Sequence, residues 1–144
     1  MRAGLWRTCT GIALVALLTA ACGSDPGDAS PPGSGGDGTG PAVATFEVAG
    51  DEQFKVELIH PDDVAAAQAM LDGKERQRIP LGVVVRGDAG VNAPWSWHID
   101  PEQFEFADFT IEVCDGLPSY VEDHTITSET YCPWSAKIVA LEPV

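Results

Sequence analysis

The segments WSWHID (Trp95–Asp100) and FTIEVC (Phe109–Cys114) both alternate apolar and polar side chains. Such alternation is typical of β-strands that bury one face. An antiparallel pairing of the two segments is expected to bring their apolar faces onto one core, because a slip of one residue would turn every apolar side chain to solvent. One register of that pairing places His98 opposite Glu112.

Further strands are predicted on both sides of this pair. Alternating apolar residues around a Gly-containing turn predict a hairpin over Val43–Ile59. The run Ile79–Val85 is almost continuously apolar, which indicates a strand buried on both faces. Ala136–Leu141 is predicted as the last strand, which brings the count to about six.

Two helices are predicted between these strands. Pro61 followed by two aspartates is typical of a helix start, and Gly73 is typical of a helix end. The spacing of Ser119 and Glu122 matches a capping box and predicts a short helix over residues 119–124. The fold class is therefore α+β: an antiparallel sheet of about six strands with one main helix and one short one. The expected buried stripe of the main helix is Val64, Ala67, Met70 and Leu71.

The first 21 residues have the organisation of an export signal. Two arginines precede an uncharged run that ends at Ala21, and the run is too short to span a bilayer. The sequence LTAAC, Leu18–Cys22, resembles the lipobox of bacterial lipoproteins, although Thr19 stands where that family usually has Leu. This resemblance implies a lipid on Cys22 and a place on the extracytoplasmic face of a membrane. The alternative is a secreted protein with a free Cys22.

Residues 22–41 are expected to form a disordered linker, because they are rich in Gly, Pro and Ser and contain no strongly apolar residue. One domain follows, over residues 42–144. Without Arg2 and Arg7 the chain keeps six basic and all 22 acidic residues, a net charge near −16. Such a charge argues against nucleic acid as a partner and is compatible with a basic protein or a cation.

Counting cysteines predicts one disulfide. Cys9 leaves with the signal and Cys22 is assigned to lipid, so Cys114 and Cys132 remain in the domain. In an oxidising compartment two remaining cysteines are expected to pair. Metal ligation by the two thiolates is the alternative, although no CxxC spacing supports it.

Several combinations of Trp, Cys and Pro resemble a known domain family. The chain is similar, over about Val43–Ala140, to the N-terminal domain of an amoebal calmodulin-binding protein, a module that also occurs in exported bacterial proteins. The resemblance implies no catalytic residues, and the calmodulin link is not carried over, since the chain has no basic amphipathic helix. The segments that carry it are Asn92–Pro101, Ile111–Gly116, Pro118–Glu122 and Tyr131–Ser135.

Two groups of side chains could hold a divalent cation. His98 with Asp100, Glu112 and Asp115 offers nitrogen and oxygen ligands for zinc, although zinc sites often contain paired histidines. The acidic residues around Glu122 offer oxygen ligands for calcium, although their spacing is not that of an EF-hand. The alternative is a hydrogen-bonded histidine and solvated loop charges. No other cofactor is predicted.

The leading functional hypothesis is a non-catalytic binding module, because no nucleophile elbow or phosphate loop is present. Trp95, Trp97 and Trp134 are candidate contact residues. Alternation favours a core position for the first two, and Trp134 is the better candidate for an exposed anchor. A weaker alternative is a protease inhibitor that presents Gly90–Pro94 as a rigid loop.

Overall fold

The computed structural model of the protein describes residues 40–144. The predicted signal peptide, Cys22 and all but the end of the predicted linker lie outside the described residues. No helix within them is long and apolar enough to cross a bilayer. The elements in chain order are β1 (Ala42–Val48), β2 (Glu52–Leu58), α1 (Pro61–Leu71), β3 (Ile79–Arg86), β4 (Trp97–Ala107), a 3-10 turn (Glu112–Cys114), α2 (Pro118–Glu122), β5 (Thr130–Tyr131) and β6 (Lys137–Pro143).

The first sheet has the strand order β2-β1-β6, and both pairings are antiparallel. The predicted hairpin is confirmed, since β1 and β2 pair along their full length with Ala42 opposite Leu58. The turn between them contains Ala49 and Gly50, with φ angles of 55° and 80°. Glycine adopts this left-handed geometry without strain, which explains its place in the turn.

Helix α1 packs against β6 and β2. It begins at Pro61 as predicted, and Val64, Ala67 and Met70 are buried. The predicted burial of Leu71 is wrong, because this side chain is 37% exposed. Leu71 follows Met70 directly and so points about 100° further round the helix, away from the sheet.

The second sheet has the strand order β4-β3-β5 and is also antiparallel. The strand count of six is as predicted, but the strands form two three-stranded sheets instead of one. Strand β3 lies in the centre of this sheet. Of its residues only Pro80 and Gly82 are buried, so the prediction of burial on both faces is wrong. A Cβ at Gly82 would lie 2.2 Å from the side chain of Ile99, which explains the glycine.

Strand β4 starts at Trp97 and continues through Pro101 to Ala107. The predicted strand over Phe109–Cys114 is wrong, because this segment is a loop that ends in the 3-10 turn. Only one residue separates it from β4, and a hairpin needs a connection of at least about two residues. The partner of β4 is β3, so His98 lies opposite Val85 and not opposite Glu112.

The two sheets meet in an aromatic core. Phe54 of β2 lies with its ring centroid 5.3 Å from Phe46 and 5.3 Å from Tyr131. Trp97 of β4 packs edge-on to Tyr131 at 5.4 Å. All four side chains are at most 1% exposed. Edge-to-face and offset arrangements of this kind are favourable between aromatic rings.

Helix α2 forms where a short helix was predicted, but it starts at Pro118 and has no capping box. The carboxylate of Glu52 accepts hydrogen bonds from the backbone N–H and the hydroxyl of Ser119, both at 2.8 Å. Glu122 accepts the same pair of bonds from Ser96 at 2.9 Å. Each predicted capping partner is therefore bonded to a different segment, and α2 is tied to both sheets.

The disulfide between Cys114 and Cys132 is confirmed, with a Cα–Cα distance of 5.1 Å. Both cysteines are buried, and the N–H of Cys132 donates to the carbonyl of Cys114 at 2.8 Å. The bond joins the end of the 3-10 turn to the segment that follows β5. Ligation of a metal by two free thiolates is therefore excluded.

Candidate functional site

Four large apolar side chains are exposed on either side of the disulfide. Phe109 is 87% exposed, Ile111 69%, Val113 66% and Trp134 44%. The first three occupy alternate positions before Cys114, and Trp134 follows Cys132 by two residues. We call these four residues the apolar loop surface. Isolated exposed apolar residues are common on proteins, but a cluster of this kind marks an interaction site.

The two segments that carry the apolar loop surface are fixed to each other by specific bonds. The indole N–H of Trp134 donates to the hydroxyl of Thr110 at 2.5 Å. The backbone N–H of Trp134 donates to the carboxylate of Asp115 at 2.8 Å. With the adjacent disulfide, these bonds hold Trp134 against the loop, so a partner would meet a surface that is already ordered.

The surroundings of the apolar loop surface are acidic. Between Phe109 and Ala136 the sequence contains no Lys or Arg. Hydrogen bonds from Thr125 hold the pKa of Asp123 below its usual range, which favours its charged form. This stretch therefore carries a strongly negative charge at neutral pH. Its five carboxylates are Glu112, Asp115, Glu122, Asp123 and Glu129.

The structure separates the three tryptophans as the sequence predicts. Trp97 is 1% exposed and belongs to the aromatic core, and Trp95 is half-buried against it. The indole N–H of Trp95 donates to the carbonyl of Gln53 at 2.8 Å, which ties the loop before β4 to β2. Only Trp134 of the three is exposed. The first two tryptophans thus serve packing, and the third is available for contact.

His98 does not face the predicted carboxylates. Its Nδ1 lies 2.8 Å from the carbonyl oxygen of Asp88, and because a carbonyl only accepts, Nδ1 carries the proton in this bond. The ring also packs against Gly90, where a Cβ would lie 3.1 Å from it. Asp100 accepts from the Gln103 side chain and from the Glu102 N–H, and these bonds lower the pKa of Asp100.

The remaining predicted cation ligands also lie apart. Glu112 is exposed in the 3-10 turn, Asp115 bonds Trp134, and Glu122 bonds Ser96. Among residues 40–144, no group of three or more His, Cys, Asp or Glu is arranged to hold a metal ion. The structure therefore does not bring the predicted zinc or calcium ligands together.

The loop Gly90–Pro94 is anchored from inside. Asn92 is 1% exposed, and its Oδ1 accepts the backbone N–H of Lys55 at 2.7 Å. Its Nδ2 donates to the carbonyl of Trp97 at 2.9 Å. Ala93 and Pro94 remain exposed. The loop is therefore rigid, as the inhibitor hypothesis requires, but its side chains serve mainly to join β2 to β4.

A groove of about 720 Å³ lies between α1 and the ends of β1 and β6. Its walls are largely aliphatic and include Val64, Ala69 and Leu141. Pro41, the last residue of the predicted linker, also lines it. Nothing in the sequence pointed to this groove, because its walls come from three elements that are distant in the chain.

Sequence reasoning missed the exposure of Phe109, Ile111 and Val113, which it assigned to a core strand. A signal was present, since the alternation of the preceding strand continues beyond Pro101 through Phe104 and Phe106. A strand that runs to Ala107 leaves no room for a hairpin with the next segment. Pro101 was taken as the end of that strand, which proline at a sheet edge need not be.

Comparison with known proteins supports the resemblance that the sequence suggested. The family model of the calmodulin-binding-protein N-terminal domain matches residues 40–144, which is most of the chain and all of the part that the structure describes. No curated protein and no solved structure matches the chain.

Proposed function

We propose a function for a chain that belongs to the calmodulin-binding-protein N-terminal domain family: it is a non-catalytic binding module, held by a lipid on Cys22 at the extracytoplasmic face of a membrane. The domain binds through the apolar loop surface. The observation that carries this proposal is the 87% exposure of Phe109 in a segment braced by a disulfide.

Two alternative explanations of the exposed side chains fit less well. A loop without a role in folding or binding would be expected to carry polar residues, because exposed apolar clusters favour aggregation. A loose flap over the core would leave its apolar side chains partly covered, whereas Phe109, Ile111 and Val113 are each at least 66% exposed. Trp134 is also held in place by two hydrogen bonds that do not bury it.

The predicted lipid and linker complete the proposal. A coil of about 20 Gly- and Ser-rich residues has a root-mean-square length of roughly 25 Å. The domain would therefore stay close to the bilayer, and its partner would be a protein of the same membrane or of the space beside it. A diacyl anchor gives stable attachment, whereas a single chain gives reversible attachment.

The lipid is tested by replacing Cys22. The wild-type chain is expected in the membrane fraction, labelled after growth with a radioactive fatty acid, and the Cys22→Ser variant is expected to be unlabelled. Cys9→Ser is the matched control and retains the label. An unlabelled wild-type chain, or a label that survives Cys22→Ser, contradicts the anchor.

Binding is tested by photo-crosslinking in intact cells. A benzophenone amino acid at position 113 samples the apolar loop surface. The same group at position 139 is the control, because Val139 is also a β-branched residue and is 42% exposed, but lies on β6. The proposal predicts a discrete crosslinked adduct from position 113 that position 139 does not give. Equal crosslinking from both positions, or none from position 113, contradicts it.

Catalysis is tested separately. Turnover of a peptide, ester or glycan substrate that is abolished by His98→Ala would overturn the non-catalytic part of the proposal. The expected result is no difference between the wild-type chain and the variant.

A further inference from the structure

We infer that the partner of the apolar loop surface is a cationic amphipathic helix of another protein, an inference that rests on the proposed function. The helix would lay its apolar stripe on Phe109, Ile111, Val113 and Trp134. Its Lys and Arg residues would lie over the carboxylates around them. Three observations support this choice of partner: the charge, the dimensions and the aromatic residues of the surface.

The charge excludes one common target of exposed apolar loops, the anionic membrane surface. Glu112 lies between Ile111 and Val113, and no Lys or Arg occurs from Phe109 to Ala136. Lipid phosphates approaching the loop would meet only like charge, whereas Lys and Arg side chains would meet opposite charge. The two cations nearest in space to the start of the loop, Arg76 and Arg78, are already paired with Asp108.

The dimensions suit a short length of helix. From Phe109 to Val113 the chain is partly extended and then turns into the 3-10 segment, a span on the order of 10 Å. Two turns of an α-helix cover about 11 Å and present three or four apolar side chains on one stripe. A helix is therefore long enough to cover the loop while its polar face stays in water.

The aromatic residues add a second interaction with cations. Trp134 is 44% exposed and Phe109 is 87% exposed, so the rings of both are open to a partner. Lys or Arg over an aromatic ring is attracted by the negative face of the π-system, most strongly for Trp. A partner that carries Lys or Arg beside its apolar stripe would use both the carboxylates and the rings.

The test uses three synthetic 18-residue peptides and the full chain, purified as the cell makes it. The first peptide is a helix with a Leu stripe and Lys on its polar face, the second replaces every Lys with Glu, and the third replaces every Leu with Ser. Fluorescence anisotropy measures binding. The inference predicts that only the Leu/Lys peptide binds, and that higher salt weakens the binding.

Variants assign the binding to the loop. The triple variant Phe109→Ser, Ile111→Ser and Val113→Ser is expected to lose at least about tenfold in affinity. Glu112→Lys is expected to lose about fivefold through charge reversal. The matched controls, Val139→Ser and Glu142→Lys on β6, should bind like the wild-type chain. Circular dichroism and the unfolding midpoint confirm that each variant is folded.

Three results would overturn the inference: equal binding of the Lys and Glu peptides, unchanged affinity in the triple variant, or binding to phosphatidylglycerol vesicles that the triple variant loses. The last result would assign the surface to a membrane. Crosslinking from position 113 distinguishes these failures from failure of the proposed function. If that adduct persists while the peptides fail, the surface binds a partner of different chemistry. If the adduct is absent, the proposed function fails as well.

Discussion

Trp95–Ile99 and Phe109–Val113 have the same sequence pattern and opposite positions in the molecule. In each, three large apolar residues occupy alternate positions. In the first segment Trp97 and Ile99 are 1% exposed and lie in the core. In the second, each apolar side chain is at least 66% exposed. Alternation therefore predicts which side chains share a face, and the rest of the fold decides whether that face is covered.

The difference arises from the neighbours of each segment. Trp97 and Ile99 start a strand that pairs with β3 and packs against the aromatic residues of the first sheet. The second segment follows directly after that strand and is held by the disulfide and Trp134 on the outside. An apolar pattern that folding leaves exposed needs another explanation, and binding supplies one.

The largest expected effect is on the core side of the comparison. Trp97→Ala should lower the free energy of unfolding by about 4 kcal/mol, because it empties the space between Phe54 and Tyr131. Urea denaturation measures the change, and Trp134→Ala is the matched control, with an expected loss below about 1 kcal/mol. Equal losses from the two variants would contradict the division into a core and a contact surface.

The disulfide should contribute to both regions. Cys114→Ala with Cys132→Ala is expected to lower the free energy of unfolding by about 3 kcal/mol, because the unfolded chain regains the freedom of an 18-residue loop. The double variant should also bind the Leu/Lys peptide more weakly, since Trp134 is no longer held beside Thr110. Unchanged peptide affinity in a folded double variant would show that the bond does not order the surface.

Asn92 tests how the segment Trp95–Ile99 is held in the core. Asn92→Ala should cost about 2 kcal/mol, because it leaves the N–H of Lys55 and the carbonyl of Trp97 without their partner. Ala93→Ser, at the exposed neighbouring position, should be neutral. The measurement is the same urea titration, and a loss below about 0.5 kcal/mol for Asn92→Ala would contradict the anchoring role.

Tyr131 predicts a pH dependence of the core alone. Burial, with smaller contributions from Glu52 and Asp115, raises the pKa of Tyr131 far above its ordinary value of 10.0. The unfolded phenol ionises above that pH while the folded one stays protonated, so stability is lost as pH rises. At pH 11 the loss should be about 1.4 kcal/mol. Tyr131→Phe should remove this part of the slope, and an unchanged slope would contradict it.

The sequence predicts those parts of the fold that depend on neighbours in the chain. The hairpin and α1 follow from a turn and from a Pro-Asp-Asp start, and the disulfide follows from counting cysteines. The pairing of β3 with β4 is not local, and β5 has only two residues, which is too few for any period. The division into two sheets therefore could not be predicted from patterns within single segments.

The candidate site was predicted in part. The exposure of Trp134 follows from its place between Pro133 and the end of the disulfide loop, outside any alternating run. The exposure of Phe109 could not be predicted in the same way, because it depends on where β4 ends. The predicted cation ligands failed to meet for a related reason: the register that joined His98 to Glu112 does not form.

The central claim is that the apolar loop surface serves binding and not folding. The most direct test is the free energy of unfolding of the triple variant Phe109→Ser, Ile111→Ser and Val113→Ser, measured by urea denaturation. Side chains that are at least 66% exposed contribute little to a core, so the predicted change is within about 0.5 kcal/mol of the wild-type value. A loss of more than about 2 kcal/mol would mean that these side chains are part of the core and would contradict the account.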